Sequence, residues 1–332
     1  MLDLDIISFL QGQKNLLAFS AGVDSSALFF LLQEHHIPFD IAIVDYQLRE
    51  QSKKEVLYAK ELAEKYNKKC FIHTAQRINT NFEANARKIR YNFFEEIIKQ
   101  HHYTTLLTAH HLGDKLEWFL MQFTKGAGTV ELSGMQKVQK KEHYTLIRPL
   151  LDYTKEELLE YLHVNNITYF IDETNFSQQY TRNRFRHQFS EKLLKEYKDG
   201  IKRSFHYLEE DAQLLQKEVP FSTLGEMCYF SSSSSRADLL NIDKYLKQNG
   251  YLLSKNEKEV LKKRENTIVG RRYLIIFYYN WIIITPYENS STPMDKKFKE
   301  TCRKLHIEPK LRPFLYKYKE ALERIKTLKP KA

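Results

Sequence analysis

Short apolar runs alternate with stretches of helical period through the first half of the chain. Residues 16–19 (Leu-Leu-Ala-Phe), 41–44 (Ile-Ala-Ile-Val), 70–72 (Cys-Phe-Ile) and 106–109 (Leu-Leu-Thr-Ala) predict four short strands. Between them, residues 24–34 place Leu28, Leu31 and Leu32 on one helical face, and residues 53–66 and 82–100 predict two more helices. Buried short strands separated by helices signify a parallel sheet covered on both faces. From Thr154 the pattern turns helical, opening on a capping box in which Glu157 follows Thr154 by three. Helical text continues over residues 188–218, breaks at Val219-Pro220, and the serine run at 231–235 reads as a loop. A helix, a hairpin (residues 273–279 and 281–285) and a Lys-rich tail follow. The predicted fold class is α/β: a parallel-sheet domain at 1–190, a helical connector at 191–220 and a smaller, basic α+β domain at 221–332, with no internal repeat.

Composition agrees with such a fold. At 42% hydrophobic and 13% aromatic residues, the chain can bury a sizeable core, and its 332 residues suggest about two domains. Its three cysteines, Cys70, Cys228 and Cys302, are far apart and odd in number, which excludes a disulfide-built scaffold. The longest apolar run, at 273–286, is interrupted by Asn280 and falls short of the roughly 20 residues a membrane helix needs. The first five residues are acidic and lack the basic-then-apolar order of a signal peptide. A soluble, cytoplasmic protein with no membrane partner is expected. The 52 Lys and Arg against 42 Asp and Glu leave a net charge of +10, which favours an anionic partner, nucleic acid above all, or a surface merely kept soluble. Counting along the chain localises the excess. Residues 295–332 hold 13 Lys and Arg against 5 Asp and Glu, so +8 of the +10 lies there. This segment is where a nucleic-acid backbone, if that is the partner, is expected to bind.

The candidate chemistry begins between the first strand and the first helix, where residues 19–26 read Phe-Ser-Ala-Gly-Val-Asp-Ser-Ser. In an open parallel sheet, ligands bind beyond the carboxyl ends of the strands. A loop of small residues opening a helix offers free backbone N–H groups and the positive end of the dipole, which suits phosphate. Ser20, Ser25 and Ser26 can add hydroxyl donors. Asp24 makes sense beside phosphates mainly if a magnesium ion lies between them. The same segment also reads as an ordinary helix start capped by Asp24 or Ser20. No Gly-x-x-x-x-Gly-Lys-Ser/Thr occurs, which excludes a Walker-type NTPase, and no Gly-x-Gly-x-x-Gly follows the first strand. The loop resembles the Ser-Gly-Gly-x-Asp-Ser signature of the PP-loop ATP pyrophosphatases, with Ala21 in place of the first glycine. That resemblance assigns Ser20, Ala21, Gly22, Val23, Asp24 and Ser25 to the ATP phosphates.

Glycine is scarce, ten in the chain, yet four of the ten fall between Gly113 and Gly134. Clustering of this kind indicates unusual backbone angles or close approach. Just before the cluster stand His110, His111, Asp114 and Glu117, and the i, i+3 spacing of the two acids places their carboxylates on one helix face. Each residue alone reads more readily as a helix-dipole or packing residue. Together with the phosphate loop at the same end of one sheet, they read as a site.

With these motifs the chain resembles the tRNA(Ile)-lysidine synthase family, continuously over about residues 14–188. The family's His-His-x-x-Asp-Gln-x-Glu-Thr matches residues 110–118, its glycine-rich segment 126–135, and its Arg-Pro-Leu-Leu Arg148 to Leu151. Its Asp-x-Thr-Asn and Tyr-x-Arg-Asn-x-x-Arg match Asp172, Thr174, Asn175, Tyr180, Arg182, Asn183 and Arg186. Its Asp-His-Gly-Leu-Arg appears as residues 45–49 and its Ala-Arg-x-x-Arg-Tyr as 86–91. Departures are Ala21, Tyr46, Gln47, Lys115, Trp118 and Glu131. The resemblance implies ligation of free L-lysine to C2 of the wobble cytidine of the CAU-anticodon isoleucine tRNA, through an adenylated cytidine and with ATP cleaved to AMP and pyrophosphate. It implies magnesium held by Asp24 with Asp45, and Asp114 and Glu117 binding lysine and accepting its proton. Arg87 and Arg90 would stabilise charge, with Arg90 equally readable as a surface residue, and His110 or His111 would lie near the base. Arg182 and Arg186 would contact RNA or nucleotide. A homodimer is compatible with the sequence. Among rival readings, a PP-loop tRNA thiolase lacks support because no Cys-x-x-Cys occurs. A small-molecule amidotransferase would leave the basic C-terminal domain unexplained, and a non-catalytic RNA-binding protein would leave Asp24, Asp114 and Glu117 unexplained.

Overall fold

The structure is a computed structural model and describes residues 2–47, 50–76, 78, 80–171, 181–215, 219–288 and 293–328. The chain divides into two compact units, Met1–Ala212 and Gln213–Ala332.

In the first unit, strands β1 (Asn15–Ala18), β2 (Phe39–Asp45), β3 (Cys70–Thr74), β4 (Thr105–Leu107), β5 (Val138–Lys140) and β6 (Thr145–Ile147) form one sheet in the order β3-β2-β1-β4-β6-β5. All neighbours are parallel except β5, which pairs antiparallel with β6 at the edge. The side-chain period of two sends neighbouring residues to opposite faces. Leu17, Ile41, Ile43 and Leu107 pack with helices α2 (Val23–Glu34), α3 (Glu50–Lys65) and α7 (Lys155–Val164), while Leu16, Ala42 and Leu106 pack with α4 (Phe82–His101). Burial on both faces is why these strands read as unbroken apolar runs. Strand β4 is shorter than the sequence suggests, ending at Leu107, with the Thr108 amide making the last bond to β6 at the Ile147 carbonyl. Strands β5 and β6 have only three residues each and carry no predictive pattern.

The sheet order reverses direction at β1 and β4, so the loops after these two strands open side by side at its carboxyl end. Two helices are set by these loops, α2 and α5 (Leu112–Phe123). Helix α6 (Thr129–Ser133) follows α5. Thr154 and Glu157 form the predicted capping box at α7. The predicted helix over 188–218 is α9 (Glu191–Leu215), preceded by α8 (Thr181–Phe185) and a π-helical turn, Arg186–Ser190; residues 216–218 lie outside the described residues.

The second unit has an antiparallel sheet ordered β7-β8-β11-β10-β9, from β7 (Ser222–Leu224), β8 (Met227–Ser231), β9 (Thr267–Val269), β10 (Tyr273–Tyr278) and β11 (Trp281–Pro286). Strands β10 and β11 are the predicted hairpin. The serine run is only partly a loop: Ser231 ends β8, and Ser234 caps α10 (Ser235–Gln248) by accepting from the Ala237 amide. One sheet face packs on α10 and α11 (Lys255–Lys262). The other packs on α12 (Lys296–Lys304), α13 (Arg312–Lys317) and α14 (Lys319–Leu328), which bury Cys302, Phe314, Leu315 and Ile325. The Lys-rich tail is therefore half of a core, with its charges on the outward face. Among the described residues no helix is long and apolar enough to cross a membrane.

Candidate active site

The loop after β1 turns through Ala21, whose φ of +58° lies in the left-handed region. Its carbonyl accepts from the Phe170 amide at 2.9 Å, and Gly22 bridges to Phe170, so the chain at 170 walls the loop. Gly22 is the N-cap of α2 and supplies no side-chain cap; neither Ser20 nor Asp24 takes that role. The first-turn N–H groups of α2 thus have no side-chain cap, as a phosphate-binding helix start requires. The Ser20 amide donates to Ser25 Oγ at 3.2 Å, and the two hydroxyls lie 3.1 Å apart, fixing the turn. A non-glycine residue in the left-handed region costs about 1 kcal/mol. Ala21→Gly is expected to raise stability by up to about 1 kcal/mol in thermal unfolding; a loss would mean that the buried methyl outweighs the strain. Gln47, where the family pattern also has glycine, repeats the arrangement with φ +52°.

Helix α5 opens on His111, its N-cap. Nδ1 of His111 accepts from the Gly113 amide at 3.0 Å, and Asp114 Oδ2 accepts from the His111 amide at 2.9 Å. With Nδ1 an acceptor, the ring proton sits on Nε2, which faces Asp24 Oδ2 at 3.9 Å and Asp114 Oδ2 at 3.7 Å. His111 therefore joins the phosphate loop to the acidic helix. Gly113 is required here because a Cβ would lie 2.6 Å from His111 Cε1.

One turn on, Glu117 is 1% exposed and accepts from Arg182 Nε at 2.8 Å, Arg186 Nε at 2.6 Å and Arg186 Nη2 at 3.2 Å. Arg182 Nη2 also donates to Asp114 Oδ1. The sequence assigned Arg182 and Arg186 to RNA or nucleotide; in the structure their guanidinium groups lie on the two carboxylates. Burial by itself would raise the pKa of Asp114, but the neighbouring His111 and Arg182 outweigh it and hold this carboxyl well below the usual range. At Asp24 burial dominates and pushes the pKa up, and Oδ1 is buried without a hydrogen-bond partner. Three carboxylates thus face two guanidinium groups, leaving one negative charge for an incoming cation. The opposite side of α5 is apolar, with Leu112 and Leu116 against Leu194 and Phe205 of α9, and buried Lys115 pairs there with Glu209. The position of the acids is fixed from behind.

His110 lies close by, its Nδ1 2.9 Å from Thr108 Oγ1. Burial chiefly, with Arg148, Arg182 and Arg87 adding to it, pushes its pKa down to about 4. The unfolded chain, with a histidine pKa of about 6.5, takes up a proton that the folded chain refuses, so stability falls as pH drops from about 6.5 towards 4, by up to about 3 kcal/mol. His110→Asn is expected to flatten the Tm-against-pH curve in that window. An unchanged slope would show that His110 is not the group responsible.

Arg87 and Arg90 are exposed on α4, with the Arg87 guanidinium 4.8 Å above the Tyr91 ring. Asp45 ends β2, and its Oδ1 accepts from the Gln47 amide at 2.8 Å. Tyr46 donates to the Ala86 carbonyl and packs on Phe82, tying β2 to α4. Among the described residues no group of three or more His, Cys, Asp and Glu could hold a metal. A magnesium ion asks for only one or two carboxylates besides phosphate and water, and the unpartnered Oδ1 of Asp24 fits that demand. Asp172, Asn175 and Tyr180 lie outside the described residues.

The structure brings together Asp24, Asp114, Glu117, Arg182 and Arg186, and adds His111 as their hinge. The pairing of the acids with arginines more than 60 positions away carries no local sequence signal, whereas the His111 cap could be read from the start of α5.

Comparison with known proteins agrees with this geometry. Residues 4–193 match the PP-loop domain family (ATP_bind_3). The chain is 41% identical over 304 residues to a tRNA(Ile)-lysidine synthase of Helicobacter pylori, covering 91% of this chain and 89% of that protein. It is 41% identical over 315 residues to the enzyme of that name from Campylobacter jejuni, covering 95% and 96%. It is 44% identical over 305 residues to that of Wolinella succinogenes, covering 91% and 93%. Among solved structures, the U34-tRNA thiolase NcsA from Methanococcus maripaludis shares the fold, with a TM-score of 0.52, 19% identity and coverage of 63% of this chain and 75% of that one. The PP-loop match and the near full-length similarity place the chain in the tRNA(Ile)-lysidine synthase family.

Proposed function

We infer that this protein is an ATP-dependent C–N ligase that joins lysine to C2 of the wobble cytidine of the CAU-anticodon isoleucine tRNA, converting it to lysidine so that AUA is read as isoleucine. The observation that carries this reading is the junction of an uncapped PP-loop helix with a buried acidic pair through His111. The reaction has two difficulties. The cytidine oxygen is a poor leaving group and is first converted to an AMP ester, and the lysine ε-amine, with a reference pKa of about 10.4, must lose a proton to attack.

The free N–H groups of α2 and the hydroxyls of Ser20 and Ser25 bind the ATP phosphates. Asp24, with Asp45 on the adjoining strand, would hold magnesium, which supplies neutralisation of the departing pyrophosphate. The cytidine must leave the stack of its loop to present O2 and C2. The residual negative charge at Asp24, Asp114 and Glu117 draws the lysine ammonium. Asp114, held far below neutral pH, binds and orients that amine and is too weak a base to take its proton, which narrows the role the sequence suggested. Arg87 and Arg90, exposed on α4, would stabilise phosphate or cytidine charge. Arg182 and Arg186 set the acids, and their role is in shaping the amine site. A cytoplasmic location and the domain assignment 1–190, 191–220 and 221–332 belong to the same proposal, and a homodimer is compatible with it.

Incubation of unmodified CAU transcript with ATP and lysine tests this reading. Mass spectrometry is expected to find the RNA heavier by one lysine less one water, and a transcript of unchanged mass would refute it. The basic segment contributes affinity: Lys296, Lys297, Lys299 and Arg303 are exposed on α12. Since the helix covers a core, deleting the segment would unfold the unit, so charge is the thing to change. Replacing these four by Gln is expected to weaken RNA binding and to lower the slope of log affinity against log salt by about 1 or more, at unchanged Tm. An identical slope would place the RNA elsewhere.

A further inference from the structure

We propose that Trp118 is a platform on which a base of the substrate RNA stacks beside the amine site; this rests on the lysidine reading above. Trp118 follows Glu117 directly and lies one helical turn beyond Asp114, so it continues the face of α5 that carries both carboxylates. The family pattern has threonine at this position, where this chain has an aromatic ring. Glu117 is 1% exposed and Leu116 4%, whereas the adjoining indole is 41% exposed.

The ring is also seated. Gly134 has φ +62°, and a Cβ there would lie 2.6 Å from Trp118 Cδ1 and 3.1 Å from Nε1. The loop backbone therefore approaches the pyrrole edge as closely as a missing side chain allows, while the rest of the ring stays open. A ring held by one edge keeps its orientation before any ligand arrives, which spares the ordering cost of binding. Exposed cations occur on the neighbouring elements, Arg184 on α8 and Lys125 just past the end of α5. Every base offers a π face, so a platform of this kind grips a splayed loop base whatever its identity. The adenine of ATP offers the same face. Its phosphates, however, are expected at the α2 N-terminus, whereas Trp118 continues the acid-bearing face of α5, where the cytidine and the amine are to meet.

The chain has two tryptophans, and the other, Trp281, lies in β11 of the second unit. A Trp281→Phe protein therefore reports on Trp118 alone. Its emission is followed during separate titrations with a CAU anticodon stem-loop and with ATP, while labelled-RNA anisotropy measures binding independently. The stem-loop is expected to quench Trp118 and ATP to leave it unchanged. In the otherwise unaltered protein, Trp118→Ala is expected to weaken stem-loop affinity by about 10- to 100-fold, with Trp118→Phe restoring most of it. RNA that binds without quenching, or with equal affinity to Trp118→Ala, overturns the platform and leaves the lysidine reading standing. Quenching by ATP would assign the ring to adenine and also overturn it. Absence of RNA binding altogether would overturn both.

Discussion

Glu117→Gln is expected to lower stability by about 3 to 5 kcal/mol, because it removes the buried carboxylate that accepts from both of two part-buried guanidinium groups. Glu117 accepts three hydrogen bonds from Arg182 and Arg186, and glutamine would present an amide N–H₂ to at least one of those donors. Asp114 would be left to face both cations, Arg182 by a hydrogen bond and Arg186 at 3.8 Å. For a unit of this size the loss corresponds to a fall in Tm of roughly 10 °C. A double-mutant cycle with Arg186→Gln isolates the pair and should show a coupling of about 2 kcal/mol or more. A stability loss under about 1 kcal/mol would mean that the arginines find other partners and that the ion network is not what positions the acids.

Asp24→Asn has the opposite signature, a gain of stability with a loss of function. Asp24 Oδ1 is buried without a partner, and burial raises the pKa of its carboxyl. Since the folded state disfavours the charge, ionised Asp24 lowers stability at neutral pH, and the effect fades as pH falls and both states become protonated. The isosteric amide removes that penalty, so the ligand-free protein should unfold at the same or a slightly higher temperature. Pyrophosphate release should fall about 1,000-fold or more, since asparagine cannot neutralise a cation beside the phosphates. A variant that keeps activity within tenfold of the wild type would remove Asp24 from the metal role. A variant that is inactive because it is unfolded would contradict the stability argument.

Much of this was legible in the chain because it depends on local pattern. The apolar runs at β1, β2 and β4, the Thr154–Glu157 capping box, and the spacing of Asp114 and Glu117 all express one element's own period. What escaped depends on partners remote in sequence. Arg182 and Arg186 read as RNA or nucleotide contacts in the sequence, and their pairing with the acids of α5 shows only in the fold. Helices α12 to α14 were hidden by their lysines, although Phe298, Cys302 and Leu305, and again Ala321, Leu322, Ile325 and Leu328, fall at the three- and four-residue spacing of a buried stripe. The charge excess was thus located correctly as composition, but its carrier is one side of a folded core. Glycine scarcity also has a structural counterpart: Ala21 and Gln47 keep left-handed backbone where the family pattern has glycine.

The central claim is that the PP-loop and the acidic pair joined by His111 act as one site for ATP, lysine and RNA. Its most direct test is pyrophosphate release from ATP by the purified protein, with lysine and unmodified CAU tRNA supplied singly and together. Sustained turnover is predicted only when both are present, and release that proceeds at the same rate without lysine would contradict the account.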